Sequence, residues 1–254
     1  MCLAVIAQHA HPAYPLIVAA NRDEFHERPT AAARWWPEGI LAGRDLSAGG
    51  TWFGVTRRGR FALLTNYRDG RPRDPTARSR GELVVRALDS EAPAREILDH
   101  ILASGDRYQG FNLVAGDAGQ LHCASNRDVR VVRIGDGVAG LSNHLLDSPW
   151  PKVERTKARL RAVLAESDID PEALFAALDD RTPAADDALP DTGIGLARER
   201  FLSSPFIVGD RYGTRSSTVL LIGADRRVRF VERTFDESGD VAGDVSETFE
   251  LRAD

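Results

Sequence analysis

The sequence predicts an α+β layered domain built mainly from antiparallel sheet. Short apolar runs occupy both ends of the chain, helical periodicity is confined to separate blocks between them, and no regular β-α-β alternation occurs. The 254 residues fit one domain, residues 1–254, on a prior of roughly 100–200 residues per domain. Hydrophobic residues at 43% and charged residues at 28% match a folded globular chain with a sizeable core. The net charge of −5 argues against a broad basic surface, so a nucleic-acid partner is not expected.

Residues 2–7 and 16–20 read as two strands joined through Pro12. Both are apolar without alternation, which predicts cover on both faces. The polar run Asn21-Arg22-Asp23-Glu24 follows the second strand, and further strands are expected at 51–56 and 61–66. Between 79 and 104 the spacing of Leu83, Val84, Ala87 and Leu88, then Ile97, Leu98, Ile101 and Leu102, predicts two helices. Pro93 and Gly105 suit the entry and exit of the second. Strands are expected at 111–116, 120–125, 129–134 and 138–142, a helix at 151–166 and a shorter one from Pro171. The acidic stretch from 179, with Pro183 and Pro190, reads as an exposed loop over 179–197 within the domain. Strands then return at 206–208, 217–222, 228–233 and 248–251.

Two cysteines, Cys2 and Cys123, cannot build a disulfide scaffold and supply no CxxC pair, which fits a reducing cytoplasm. The first residues lack a basic leader, and Gln8, His9 and His11 break the apolar run, so neither a signal peptide nor a transmembrane segment is expected. The Arg-, Ala- and Asp-rich composition suggests a GC-rich bacterial source.

Cys2 carries the most chemistry. Initiator methionine is usually trimmed before a small residue, and trimming would leave a cysteine bearing both a thiol and a free α-amine. Ordinary pKa values of ~8.5 for the thiol and ~7.7–8.0 for the amine suit proton transfer near neutral pH, the logic of nucleophiles paired with an N-terminal amine. The plain alternative is a small hydrophobe at the start of a buried strand. A hairpin turning near Pro12 returns residues 21–23 beside residue 2. An arginine there would favour thiolate and an aspartate could hold the amine; alternatively the tetrapeptide is a solvated set of turn or capping residues.

The Met-Cys start, Asn21-Arg22-Asp23-Glu24, Gly49-Gly50-Thr51-Trp52-Phe53-Gly54 and Thr65-Asn66-Tyr67 form a recognisable series. It continues through Gly110-Phe111-Asn112-Leu113, Ser142-Asn143, Pro149-Trp150-Pro151-Lys152 and Gly213-Thr214-Arg215-Ser216-Ser217-Thr218. Over nearly the whole chain this resembles the NRDE family, also called the transport and Golgi organisation 2 family. The resemblance implies an N-terminal-nucleophile hydrolase-like fold, a four-layer αββα sandwich with two antiparallel sheets between helical layers. By similarity to cysteine amidases of that fold, among them bile-salt hydrolases and penicillin V acylases, Cys2 would attack an amide or acyl thioester. Asp23 would orient the amine, Asn66 and Asn143 would line the oxyanion site, and Arg215 would match a late-strand arginine. Asn21, Arg22, Glu24, Thr51 and Trp52 are the substrate-binding candidates. The amidases carry an early arginine before the asparagine, where this chain has Ala20, with Arg22 after Asn21.

The same family resemblance implies a rival function, non-catalytic binding and trafficking of haem or of an acyl-coenzyme A or lipid in the same pocket. A third reading is a fold that has lost its chemistry and acts through protein contacts. No cofactor is required by the catalytic reading, although haem is a candidate ligand, and no metal is expected because the six histidines lack zinc or haem spacing. His9-x-His11 reads as a surface pair in a turn and His122-Cys123 as strand residues, while His144 could border the site. Gly140-Leu141-Ser142-Asn143-His144 lacks the second glycine of a serine nucleophile elbow, and Gly49-Gly50 reads as a tight turn. Trp35, Trp36, Trp52 and Trp150 are core, rim or pocket residues. Arg57, Arg58 and Arg60, with Arg68, Arg71 and Arg73, form a local basic patch suited to an anionic ligand.

Overall fold

The computed structural model describes residues 2–72 and 74–252. Met1, whose removal the catalytic reading needs, Arg73 and the Cys2 side chain lie outside the described residues. Among the described residues, thirteen strands and five α-helices follow in order as Cys2–Gln8 (β1), Leu16–Phe25 (β2), Thr30–Trp35 (β3), Ile40–Asp45 (β4), Phe53–Thr56 (β5), Phe61–Asn66 (β6), Gly81–Asp89 (α1), Ala94–Leu102 (α2), Phe111–Gly116 (β7), Leu121–Ser125 (β8), Arg130–Ile134 (β9) and Gly137–Leu141 (β10). Pro151–Val163 (α3), Pro171–Leu178 (α4), Leu196–Phe201 (α5), Tyr212–Ile222 (β11), Arg227–Phe235 (β12) and Val241–Glu250 (β13) complete it.

Two antiparallel sheets result, one ordered β10-β1-β2-β11-β12-β13 and the other β3-β4-β5-β6-β7-β8-β9. Three apolar layers separate four structural ones. Ile6, Val18, Phe53, Phe61, Leu220 and Phe230 fill the space between the sheets. Leu83, Val84, Leu98 and Ile101 seat α1 and α2 on the seven-stranded sheet, and Val5, Ile17, Leu160, Leu174 and Leu221 seat α3 and α4 on the six-stranded one. This is the expected αββα order, and it explains the near-continuous apolar runs of β1 and β2, which are buried on both faces.

Local chemistry fixes the helix ends. The Asp170 carboxylate accepts from the backbone N–H of Glu172 at 3.1 Å and Pro171 occupies the first turn of α4. Asp170→Ala is expected to cost about 1 kcal/mol, read as a lower urea midpoint with unchanged slope.

Several expectations are corrected. Strand β2 continues through Asn21–Glu24 to Phe25, because the polar side chains find partners on both faces of the sheet. Strands β3 and β4 were not anticipated; alanine-rich residues 31–33, with Pro37 and Gly39 nearby, give a weak strand signal. Residues 206–208 are irregular, and the last strand spans Val241–Glu250, its polar alternation being that of an edge strand. The 179–197 stretch is mostly exposed, but Asp180 is buried and α5 begins at Leu196. His11 is buried, its Nε2 at 3.0 Å from the Glu166 carbonyl, so it is no surface ligand.

Candidate active site

Alternation along β2 sends successive side chains to opposite faces. Asn21 faces the helical layer, where its amide donates to the Leu178 and Pro205 carbonyls and its oxygen accepts from the Ser217 hydroxyl at 2.6 Å. Asp23 shares that face and is 2% exposed; its Oδ1 accepts from the Thr214 hydroxyl at 2.7 Å, while the Tyr212 hydroxyl donates to its backbone carbonyl. Arg22 points between the sheets, donates to the Thr30 hydroxyl at 3.1 Å and lies over the Trp52 ring at 4.2 Å. Trp52 can take that place because Gly43 lacks a side chain: a Cβ there would sit 2.5 Å from the ring. The register of β1 and β2 sets Cys2 opposite Arg22, so the first described residue lies at the same strand end as Asp23.

A cleft of about 310 Å³ opens at this end, lined by Arg22, Asp23, Glu24, Thr51, Trp52 and Asn66 among others. Glu24 accepts from the backbone N–H of Phe25 at 2.9 Å, and the Thr51 hydroxyl donates to the Phe53 carbonyl, so both side chains also shape local backbone.

Behind the cleft lies a buried polar network that starts at Asn143, which is fully buried. Its Oδ1 accepts from Ser142 Oγ at 3.2 Å, Arg68 Nη2 at 3.2 Å and Lys152 Nζ at 3.3 Å, while its Nδ2 donates to the Asn66 carbonyl at 2.9 Å. Arg68 in turn pairs with Glu199 at 2.5 Å and lies 4.8 Å from the centre of the Trp150 ring. Lys152 opens α3 and is buried. Burial pushes the Asp23 carboxyl up; Lys152, the Thr214 hydrogen bond and Arg68 oppose that shift by favouring the charged form.

Glu232, on β12, is a second buried carboxyl. It accepts from the backbone N–H of Ala33 at 2.6 Å, and burial pushes it up to about 7 against the pull of that bond, of Arg22 and of Thr218.

The structure thus brings Asp23, Arg22, Trp52, Asn66 and Asn143 to one end of the sandwich; Arg215 lies at the same strand end, between Thr214 opposite Asp23 and Ser216 opposite Arg22, but its side chain does not line the cleft. Arg215 occupies a register shift between Thr214 and Ser216, and its guanidinium donates to the carbonyls of Phe25, His26 and Arg28. Its place is that of a clamp on the turn after β2. The basic patch divides: Arg57, Arg58 and Arg60 stay together lining a second cleft, where Arg60 donates to the Ala87, Ser90 and Ala92 carbonyls and Arg58 pairs with Glu91, whereas Arg68 is buried elsewhere. His144 borders the network, with Nδ1 2.6 Å from Ser148 Oγ and its ring against Tyr67 and Trp150. Among the described residues no group of three or more His, Cys, Asp or Glu could hold a metal ion, and no helix is long and apolar enough to cross a membrane.

Sequence reasoning assigned no role to Lys152, Glu199 or Glu232 and read Arg68 as surface. Glu232 had a usable signal, since it continues the inward series of Val228 and Phe230 along β12. Glu199 had none, sitting among exposed charged residues of a short helix.

The family model of Transport and Golgi organisation 2 matches residues 1–237. The chain belongs to that family. It is 40% identical over 242 residues to the Transport and Golgi organization protein 2 homolog of Bos taurus, covering 87% of each chain. It is 37% identical over 241 residues to the Homo sapiens homolog, again over 87% of each. Among solved structures, a mutant conjugated bile acid hydrolase from Clostridium perfringens aligns with a TM-score of 0.53 at 8% identity, over 99% of this chain and 92% of that one. An N-acylethanolamine-hydrolyzing acid amidase ortholog from Caenorhabditis elegans aligns at 0.50 with 10% identity, over 87% and 92%. In this member of the Transport and Golgi organisation 2 family, the fold is therefore that of the N-terminal-nucleophile hydrolases.

Proposed function

We propose that this protein is a cysteine hydrolase of the N-terminal-nucleophile type, acting on an amide or acyl thioester through an acyl-enzyme. The observation that supports it most is the buried Asp23 carboxylate at the strand end where the β1–β2 register sets Cys2 opposite Arg22. After removal of Met1, the α-amine of Cys2 takes the thiol proton and the sulfur attacks the carbonyl carbon, giving a tetrahedral oxyanion. Asp23 holds the amine, and Asn66 and Asn143 stand on the oxyanion side. Collapse expels the amine or thiol leaving group with that proton and leaves a thioester on Cys2. Water then adds to the thioester, passing a proton to the amine, and the acid departs as the thiol is restored. Arg22, Trp52, Glu24 and Thr51 would shape the substrate end of the cleft, whereas Asn21, bonded on the opposite face of β2, and Arg215, bonded to the 25–28 turn, would act on it through the backbone they hold. The proposed setting is the cytoplasm, where free thiols persist.

Alkylation by iodoacetamide between pH 5 and 8, followed by intact mass, tests this reading. Met1 is expected to be absent and Cys2 to react far faster than Cys123, whose buried thiol is pushed up to about 12. Retained Met1, or a Cys2 no faster than Cys123, would sink the reading.

A second reading, non-catalytic binding of haem or an acyl-coenzyme A, draws on the four arginines lining the cleft, Arg22, Arg28, Arg78 and Arg80. Saturable binding of either ligand by a protein with an inert Cys2 would favour it.

A further inference from the structure

The network behind the cleft ends on a residue that comes from outside both sheets. Residues 191–201 run over the surface, yet they deliver one carboxylate, Glu199, that is 2% exposed. Its Oε1 accepts from the backbone N–H of Thr192 at 3.0 Å and from the Thr192 hydroxyl at 2.5 Å, and its Oε2 holds Arg68 at 2.5 Å. The segment lies tightly on the loop that carries Arg68: a Cβ on Gly70 would be 2.7 Å from the Thr192 carbonyl. Arg68 joins Asn143 twice, through its backbone N–H to the Asn143 carbonyl at 2.7 Å and through Nη2 to Oδ1.

The three donors on Asn143 Oδ1 fix which way the amide faces. Its Nδ2 is directed away from Arg68 and Lys152 and gives one proton to the Asn66 carbonyl. The second Nδ2 proton is the one that the hydrolase reading assigns to the oxyanion. A buried guanidinium that loses its carboxylate is left uncompensated and must find new partners or water, so its grip on Asn143 depends on Glu199.

We infer that Glu199 is a positioning residue for acyl transfer, setting the Asn143 amide through Arg68, so that residues 191–201 complete the site from outside the sandwich. The inference rests on the hydrolase reading of the cleft, and two probes separate their failures. Acylation by p-nitrophenyl acetate forms the Cys2 sulfur–carbon bond, breaks the ester bond to release p-nitrophenolate, and passes through an oxyanion. Alkylation by iodoacetamide displaces iodide at a saturated carbon and forms no oxyanion.

In Glu199→Gln the acylation rate of Cys2 is expected to fall by at least about tenfold, with the alkylation rate and its pH profile unchanged. Thr192→Ala, which keeps the charge pair and loosens its support, is expected to show the same pattern at smaller size, and it carries the test if Glu199→Gln does not fold. Equal acylation in variants and wild type, or a matching fall in both rates, would overturn the inference. A wild-type protein alkylated rapidly at Cys2 but not acylated would overturn the hydrolase reading and the inference with it.

Discussion

The Cys2→Ala chain is expected to fold normally and to form no acyl-enzyme. In wild type, p-nitrophenyl acetate should add one acetyl group to Cys2, visible as a mass increment and as a burst of p-nitrophenolate. Removing a nucleophile from a set of groups that act together costs about 10⁴-fold or more in rate, because the remaining members have nothing to activate. Stability should change by less than about 1 kcal/mol, since alanine is small and the β1–β2 ladder that begins at Cys2 is a backbone feature. Acetylation retained at the wild-type rate in Cys2→Ala would assign the reactivity to another side chain and remove the basis of the mechanism.

Glu232→Gln is expected to stabilise the protein at pH 8 and to flatten its stability profile between about pH 4.5 and 7. The carboxyl is raised from 4.5 to about 7 in the folded chain, chiefly by burial. Across that interval the folded state keeps a proton that the unfolded state has released, so stability falls as pH rises. Below pH 4.5 both states are protonated and the difference vanishes; above pH 7 the full penalty is present. It is on the order of 3 kcal/mol. Glutamine keeps an oxygen for the Ala33 N–H and carries no charge, although it gives up the attraction to Arg22. Asp23, also pushed up by burial, leaves a residual slope in the variant. Urea unfolding of both proteins at pH 4.5 and pH 8 measures the effect, and an unaltered difference between the two pH values would mean that Glu232 is not buried as a free acid.

The layered architecture was legible because its signals are local. Apolar runs without alternation announced strands covered on both sides, and the periodicity of Leu83 to Leu102 announced α1 and α2. Strands β3 and β4 were hidden because alanine and glycine carry little β preference, and what holds them is pairing with neighbours and the Trp52 ring packed on Gly43. Within the candidate site, Asp23 and Asn143 were found through motif resemblance, and the structure sets both in buried networks. Arg215 shows the limit of that route. Its motif position suggested a site residue, but a one-residue register shift, invisible in the sequence, leaves its guanidinium on the backbone carbonyls of Phe25, His26 and Arg28 beside the cleft. Glu199 marks the opposite case, since its role depends on where a surface segment crosses the loop bearing Arg68.

The two sheets differ in how far along the chain their partners lie. The seven-stranded sheet takes its strands in sequence order from β3 to β9, so each can pair with a neighbour already made. The six-stranded sheet is different: β2 must wait for β11, with Asp23 meeting Thr214 across that seam. Contacts so distant in sequence close slowly and late, because the loop entropy between them must be overcome first. A growing chain can thus complete one sheet while the strand bearing Asp23 still has an open edge. The site exists only once the last third of the polypeptide has docked, which ties competence for chemistry to completion of the fold.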